Sequence, residues 1–156
     1  MPFLSATVAS SRAARARDAR VAPLDITAHA GAYHARQLRI ALRRWLHTTG
    51  VEALLADDLT WAGYEALADV VEHAYAPDHL HPVMRLQAQV CPPLLRITIT
   101  DYGRWRLPTQ QAGYRGRGLS AMRAVTSRTH VIRSADGTTV VLFAGLGGRA
   151  AGGRHP

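Results

Sequence analysis

The sequence contains no lysine and no asparagine, and its 156 residues include one cysteine and two phenylalanines. A single thiol, Cys91, excludes an intramolecular disulfide and a multi-cysteine zinc site. Without lysine there is no phosphate-binding loop of the kind that ends in one. No stretch approaches the roughly 18 consecutive uncharged apolar residues of a membrane-spanning helix, so neither a transmembrane helix nor a membrane partner is expected. The N-terminus has no apolar core followed by a cleavage site; Arg12, Arg15, Arg17 and Arg20 follow a short weak run instead. A cytoplasmic protein is expected.

With 47% hydrophobic residues the chain is not expected to be disordered as a whole. Its length suits one domain with a core of its own. All 19 basic residues are arginine, and the net charge is +8. Residues 1–24 hold four Arg and one Asp, and residues 145–156 hold Arg149 and Arg154. More than half of the excess charge therefore sits near the two ends. A nucleic-acid-binding domain would gather it on a folded face, so direct nucleic-acid binding is not expected; a steep salt dependence of DNA binding would argue otherwise.

Residues 1–20 mix Ser, Ala and Arg without a period, and residues 145–156 are rich in Gly. Both read as mobile tails around a domain spanning 21–144. Leu38, Leu42, Trp45 and Leu46 recur at helical spacing over residues 32–48, with Gly50 as the stop. A second helix is expected from Asp57 to Tyr75, closed by Pro77. The period then drops to two. Met84, Leu86, Ala88 and Val90 alternate with polar residues, Pro92-Pro93 turns the chain, and Leu95, Ile97 and Ile99 alternate again, which reads as an antiparallel hairpin. A loop rich in Gly and Arg runs from Gly103 to Gly118, and a short helix covers 119–127. Two last strands, near 130–134 and 138–144, flank an Asp136-Gly137 turn. The order predicts an α+β fold, a two-layer sandwich with helices on one face of a mixed, mostly antiparallel sheet.

Four features carry candidate chemistry. Asp58, Glu65, Asp69 and Glu72 fall within about 60° of one another on the second helix. A solvated acidic face explains such a stripe, and so does a proton acceptor beside a divalent cation. Asp101-Tyr102-Gly103 follows a strand directly, as either a turn or an acceptor for a buried amine with close backbone approach. Gly116-Arg117-Gly118-Leu119 opens a helix, whose free N–H groups favour phosphate. Gly137-Thr138 alone is a hairpin turn. His79 and His81 read as loop residues, Cys91 as a small buried residue, and Trp45, Trp61 and Trp105 as packing residues.

Taken in order, Glu65-x-x-x-Asp69, Asp101-x-Gly103, Gly116-x-Gly118 and Gly137-Thr138 resemble the boxes of the GHKL (histidine-kinase-like) ATPase superfamily. The run Glu65-Ala-Leu-Ala-Asp-Val-Val-Glu-His-Ala-Tyr75 resembles more closely the nucleotide-binding helix of bacterial anti-sigma-factor serine kinases. Asp101-Tyr-Gly-Arg-Trp-Arg106, Arg115-Gly-Arg-Gly-Leu119 and Asp136-Gly-Thr-Thr-Val140 resemble their later boxes. The likeness covers about residues 22–144.

This resemblance implies the Bergerat-type ATP-binding fold, with ATP and Mg²⁺ bound. It implies that Asp101 reads the adenine amino group, that Gly103 lets the chain pass close to the base, and that Thr138 stands on the adenine side. Arg115, Gly116, Arg117, Gly118 and Leu119 would shape the lid over the phosphates. Glu65 would be the general base and position 69 the Mg²⁺ ligand. The family usually has Asn at that position; this chain has Asp69. Arg104-Trp105 stands where the wider superfamily often has a second Gly. The implied partners are a sigma factor and a small STAS-domain anti-anti-sigma factor, whose serine would be phosphorylated. The first helix and its neighbouring surface are candidates for a homodimer or sigma contact. The alternative is a catalytically degenerate nucleotide-binding or partner-binding module of the same fold.

Overall fold

The computed structural model describes residues 21–104 and 116–146, and only the backbone of 116–119 and 121. In chain order it builds strand β1 (Leu24–His29), helix α1 (Ala32–Thr49), helix α2 (Ala53–Asp69) running into a π-helical turn (Val70–Ala74), β2 (Val83–Cys91), β3 (Leu94–Asp101), α3 (Gly116–Val125), β4 (Arg128–Ser134) and β5 (Gly137–Gly145). The five strands form one sheet in the order β1-β2-β3-β5-β4, and each of the four pairings is antiparallel. The strand pairing, the hairpins and the helical layer bear out the α+β sandwich.

Period-two alternation explains the two faces. Met84, Leu86, Ala88, Leu95, Ile97, Ile99, Val140, Leu142 and Ala144 point inward and are buried. They meet Leu38, Leu42 and Leu46 of α1, Leu59, Ala62 and Ala66 of α2, and Met122 of α3 in one core. The opposite face carries Arg85, Gln87, Arg96, Thr98 and Thr100. α1 ends at Gly50, whose φ of 75° is the left-handed cap expected of a helix stop. Trp45 is buried in this core and donates its indole N–H to the Ala22 carbonyl at 2.7 Å, tying the approach to β1 onto the helix. Among the described residues no buried side-chain polar atom lacks a hydrogen-bond partner.

Several details differ from the sequence reading. β1 was not anticipated: its alternation Leu24, Ile26, Ala28 is short and only half-buried, as befits an edge strand. α2 starts at Ala53, and the run to Tyr75 is not uniform, because its last turn widens into the π form. α3 begins at Gly116, so Gly116 and Gly118 lie in its first turn instead of in a preceding loop. The last hairpin turns on Ala135-Asp136, one residue earlier than expected: Ser134 pairs with Gly137, and Ser134 Oγ accepts the Asp136 N–H. The sheet runs to Gly145, and Leu146 donates its N–H to the Pro93 carbonyl, so the folded unit ends beyond residue 144. Cys91 is exposed, because it ends β2 at the rim of the hairpin, where Gln89 Nε2 approaches its sulfur at 2.8 Å. Trp61 is 41% exposed and lies on the outer side of α2. Trp105 lies outside the described residues.

Candidate functional site

β3 is the central strand, and Asp101 is its last residue. Strand parity puts Asp101 on the same face as Ile97 and Ile99, and its side chain is buried, with the residue 2% exposed. The carboxylate is held by backbone. Its Oδ1 accepts the Gly103 N–H at 3.0 Å and the Thr138 N–H at 3.3 Å. The first of these is the short-range Asx contact typical of a turn; the second joins β3 to the start of β5.

Two glycines allow this convergence. A Cβ on Gly137 would lie 2.0 Å from the Asp101 carbonyl oxygen, and its φ of 139° is one that L side chains rarely adopt. A Cβ on Gly103 would lie 2.0 Å from the Ala74 carbonyl oxygen and 3.1 Å from the Tyr75 ring. The start of β5 and the end of the π turn thus press on the Asp101-Tyr102-Gly103 corner from two sides. The close approach made by Gly103 in this structure is to the backbone after α2.

The second wall is helical. Glu65 and Asp69 are four residues apart in the last turns of α2, both half-buried on the rim of the face that buries Ala62 and Ala66. Asp58 is half-buried on the same side, whereas Glu72 is exposed in the π turn, 3.5 Å from His73 Nε2. A π turn closes its hydrogen bonds five residues apart, so it rotates the residues after Asp69 relative to a continuous α-helix. It delivers buried Ala74 against Gly103.

The first turn of α3 contains Gly116, Arg117, Gly118 and Leu119, and α3 packs on α2. The leading N–H groups of any helix have no acceptor within it, which makes this turn a set of anion donors. Arg115 lies outside the described residues. Asp101, Gly103 and Thr138 are therefore brought into direct contact, Glu65 and Asp69 share the last turns of one helix, and the Gly116–Leu119 backbone opens the helix packed beside it.

Sequence reasoning missed three residues at this place. Gly137 read as turn chemistry, although its positive φ serves the approach to Asp101. Tyr75 read as the end of a helix. Its hydroxyl accepts the Tyr102 N–H at 2.9 Å and donates to the Val83 carbonyl. Burial raises the Tyr75 pKa above its ordinary value, keeping the proton that this donation needs. His79, read as a bare loop residue, stands edge-on to Tyr75 with ring centroids 4.7 Å apart. With Ala74, Tyr102, Gly103 and Arg104 these two side chains line an open depression of about 450 Å³. Behind the corner, on the outer face, Arg85 grips the Asp25 carboxylate through two nitrogens at 2.8 and 2.6 Å. The bonded guanidinium holds the Asp25 carboxyl below its usual range.

The donor set suits a nucleotide and its cation. A buried acceptor-only carboxylate can read an exocyclic amine. Mg²⁺ is commonly held by one or two carboxylates together with phosphate oxygens and water, and Asp69 offers such an oxygen. Among the described residues no group of three or more His, Cys, Asp or Glu forms a cation site by itself. No helix among the described residues is long and apolar enough to cross a membrane.

Solved structures share this architecture. One is the crystal structure of the RsbU and RsbW domains of Rv1364c from Mycobacterium tuberculosis: it is 29% identical with a TM-score of 0.62, and the match covers 79% of this chain and 32% of that one. Another is the blue-light activated histidine kinase EL346 of Erythrobacter litoralis, 23% identical with a TM-score of 0.54, over 76% of this chain and 42% of that one. This chain thus spans less than half the length of either, and the second likeness is one of fold. Residues 28–143 match the model of the histidine kinase-like ATPase domain, and the chain belongs to that family.

Proposed function

We propose that this chain binds ATP with Mg²⁺ and transfers the γ-phosphoryl group to a serine of a STAS-type antagonist protein, while its other partner is a sigma factor. The observation that carries the nucleotide half is the buried Asp101 carboxylate, fixed by two backbone N–H groups at the end of the central strand. The order of the four boxes and the likeness to a chain with an RsbW domain support the kinase half.

Asp101 accepts a hydrogen bond from the adenine amino group, and Thr138 borders the base. The N–H groups of the α3 first turn, with Arg115 and Arg117, take the phosphate oxygens. Asp69 would hold the cation, and Mg²⁺ when bound would supply neutralisation of the charge on the transferring phosphoryl group. Glu65 takes the proton of the attacking serine hydroxyl as its oxygen bonds to the γ-phosphorus and the bond to the ADP oxygen breaks.

The test is phosphotransfer from radiolabelled ATP to a serine-containing STAS antagonist, in parallel with calorimetric ATP binding. Serine phosphorylation that disappears in Glu65→Gln supports the kinase. A second reading is favoured by one observation, the aspartate at position 69, which adds a negative charge beside the phosphates. In that reading the domain binds nucleotide and partner without transfer, and the same assay gives ATP binding with no phosphoserine.

A further inference from the structure

The chain has to keep two things in register: the helix that carries Glu65 and Asp69, and the strand-end corner that carries Asp101. Tyr75 is the first residue after the π turn, and it leaves the helix in extended conformation with φ −122° and ψ 146°. This throws its ring across Gly103, where a Cβ would stand 3.1 Å from the ring edge. Its hydroxyl then joins two backbone groups from different segments. It accepts from the N–H of Tyr102, inside the corner, and donates to the carbonyl of Val83, the first residue of β2.

The corner is thereby clamped from both sides. Inside, Asp101 Oδ1 takes the N–H groups of Gly103 and Thr138. Outside, the Tyr75 hydroxyl takes the N–H of Tyr102, the residue between Asp101 and Gly103. Oδ1 is already engaged by backbone, so the way the carboxylate faces a ligand depends on where residues 101–103 are held. Substitution of the phenol by phenyl would leave the Tyr102 N–H and the Val83 carbonyl without that partner and free the corner to shift. The carboxylates of α2 lie upstream of the change and would keep their places.

We infer that Tyr75 is a positioning residue for base recognition: its hydroxyl sets the Asp101-Tyr102-Gly103 corner relative to the end of the α2 run and so tunes affinity and selectivity for adenine, without touching the phosphates. This inference rests on the nucleotide reading above. It predicts a split that general loosening of the fold would not produce. Contacts to the base weaken, and contacts to the polyphosphate and its cation do not.

The experiment uses the full chain, wild type and Tyr75→Phe, titrated calorimetrically with Mg²⁺-ATP, Mg²⁺-GTP and Mg²⁺-tripolyphosphate, with amide hydrogen exchange of Tyr102 followed in the unliganded protein. The expected result is a loss of about 5- to 15-fold in ATP affinity, the scale of one hydrogen bond. The ATP-to-GTP preference narrows, tripolyphosphate affinity is unchanged, and the Tyr102 amide exchanges faster. Wild-type affinity and selectivity in Tyr75→Phe would overturn the inference while leaving the nucleotide reading intact. Equal losses for ATP and tripolyphosphate would overturn it too, since they mark a general structural effect. A wild-type chain that binds no ATP removes the nucleotide reading, and the inference falls with it.

Discussion

The two walls of the candidate pocket are built by different physics. The sheet-end wall, made of Asp101, Gly103, Gly137 and Thr138, is backbone against backbone: two glycines with no room for a methyl group and two N–H groups on one buried oxygen. The helix wall, made of Glu65 and Asp69, consists of two half-buried side chains on the rim of an amphipathic helix whose buried face is Leu59, Ala62 and Ala66. A side chain added at either glycine of the first wall has to move the main chain. A substitution on the second moves a side-chain tip. The fold therefore constrains the sheet-end wall, proposed to read the base, tightly and leaves the helix wall, proposed to do the chemistry, open to change; the helix wall is where this chain departs from the family's usual Asn.

The sharpest way to break this contrast is to add one or two methyl groups to each wall. Gly137→Ala would place a Cβ against the Asp101 carbonyl in a backbone conformation unsuited to it. Strain and overpacking together should cost about 2–5 kcal/mol. Gly103→Ala meets the Ala74 carbonyl and should lose about 1–3 kcal/mol. Ala68→Val, at a half-buried position of the helix wall, should change stability by less than about 1 kcal/mol. Urea unfolding of the three variants measures the difference; equal midpoints would mean that the sheet-end wall is no more constrained than the helix.

Of comparable size is Glu65→Gln, which keeps the shape of the side chain and removes its basicity. Phosphotransfer should fall by about 10²–10⁴-fold, with Mg²⁺-ATP affinity and the thermal midpoint close to wild type. A variant that transfers phosphate as well as wild type takes the general-base role away from Glu65.

Asp101→Asn attacks the other wall chemically without adding volume. An amide keeps one acceptor oxygen and turns the rest of the carboxylate into a donor, which faces an exocyclic amine unfavourably. An unpaired buried group costs about 1–3 kcal/mol, so ATP affinity should drop roughly 5- to 150-fold by calorimetry. Unchanged ATP affinity would show that the base is read elsewhere.

How much of this is legible in the sequence differs between the walls as well. Helical spacing in α1, the alternation in β2 and β3, and the Gly50 stop are local patterns, and each appears where it was expected. The boxes, taken in order, led to the family over nearly the whole matched span. Tertiary closeness was not readable. Gly137 carries the same letter whether it turns a hairpin or makes room for Asp101, and Tyr75 carries no mark of a hydroxyl that bridges β2 and the loop after β3. The π turn leaves no signature in a helical period that continues through it. Cys91 read as a small buried residue, but strand parity puts it on the outer face with Arg85, Gln87 and Gln89, and it is exposed.

Alkaline pH tests the clamp that links the walls. Burial raises the Tyr75 pKa above its ordinary 10.0, so the folded chain holds that proton more tightly than the unfolded chain. The stabilisation is whole below pH of about 10 and is lost as pH rises through the folded value. The stability profile of Tyr75→Phe should therefore fall less steeply than that of wild type above pH of about 10, as read by urea unfolding across the alkaline range. Parallel profiles would mean that the hydroxyl titrates alike in both states.

The smallest expected effect is the most informative about the helix wall. In the proposed reading Asp69 supplies a cation oxygen as Asn would, but it adds a charge. At about 5.5 Å and an effective dielectric near 20, one phosphate charge would repel it by roughly 3 kcal/mol. A bound Mg²⁺ opposes most of that, and solvent at a half-buried site screens part of the remainder. What survives should be on the scale of an exposed ion pair, about 0.2–1 kcal/mol. Asp69→Asn should accordingly bind ATP at about two- to fivefold lower Mg²⁺ and transfer phosphate at least as fast as wild type. Asp69→Ala removes the oxygen altogether and should weaken Mg²⁺-ATP further than either. The measurement is ATP binding titrated with Mg²⁺ beside serine phosphorylation of a STAS antagonist. A wild type that transfers nothing, with an Asp69→Asn variant that does, would make this chain a binder on a kinase scaffold, separated from catalysis by one charge on the tolerant wall. Identical Mg²⁺ dependence in the two would instead place the cation away from position 69.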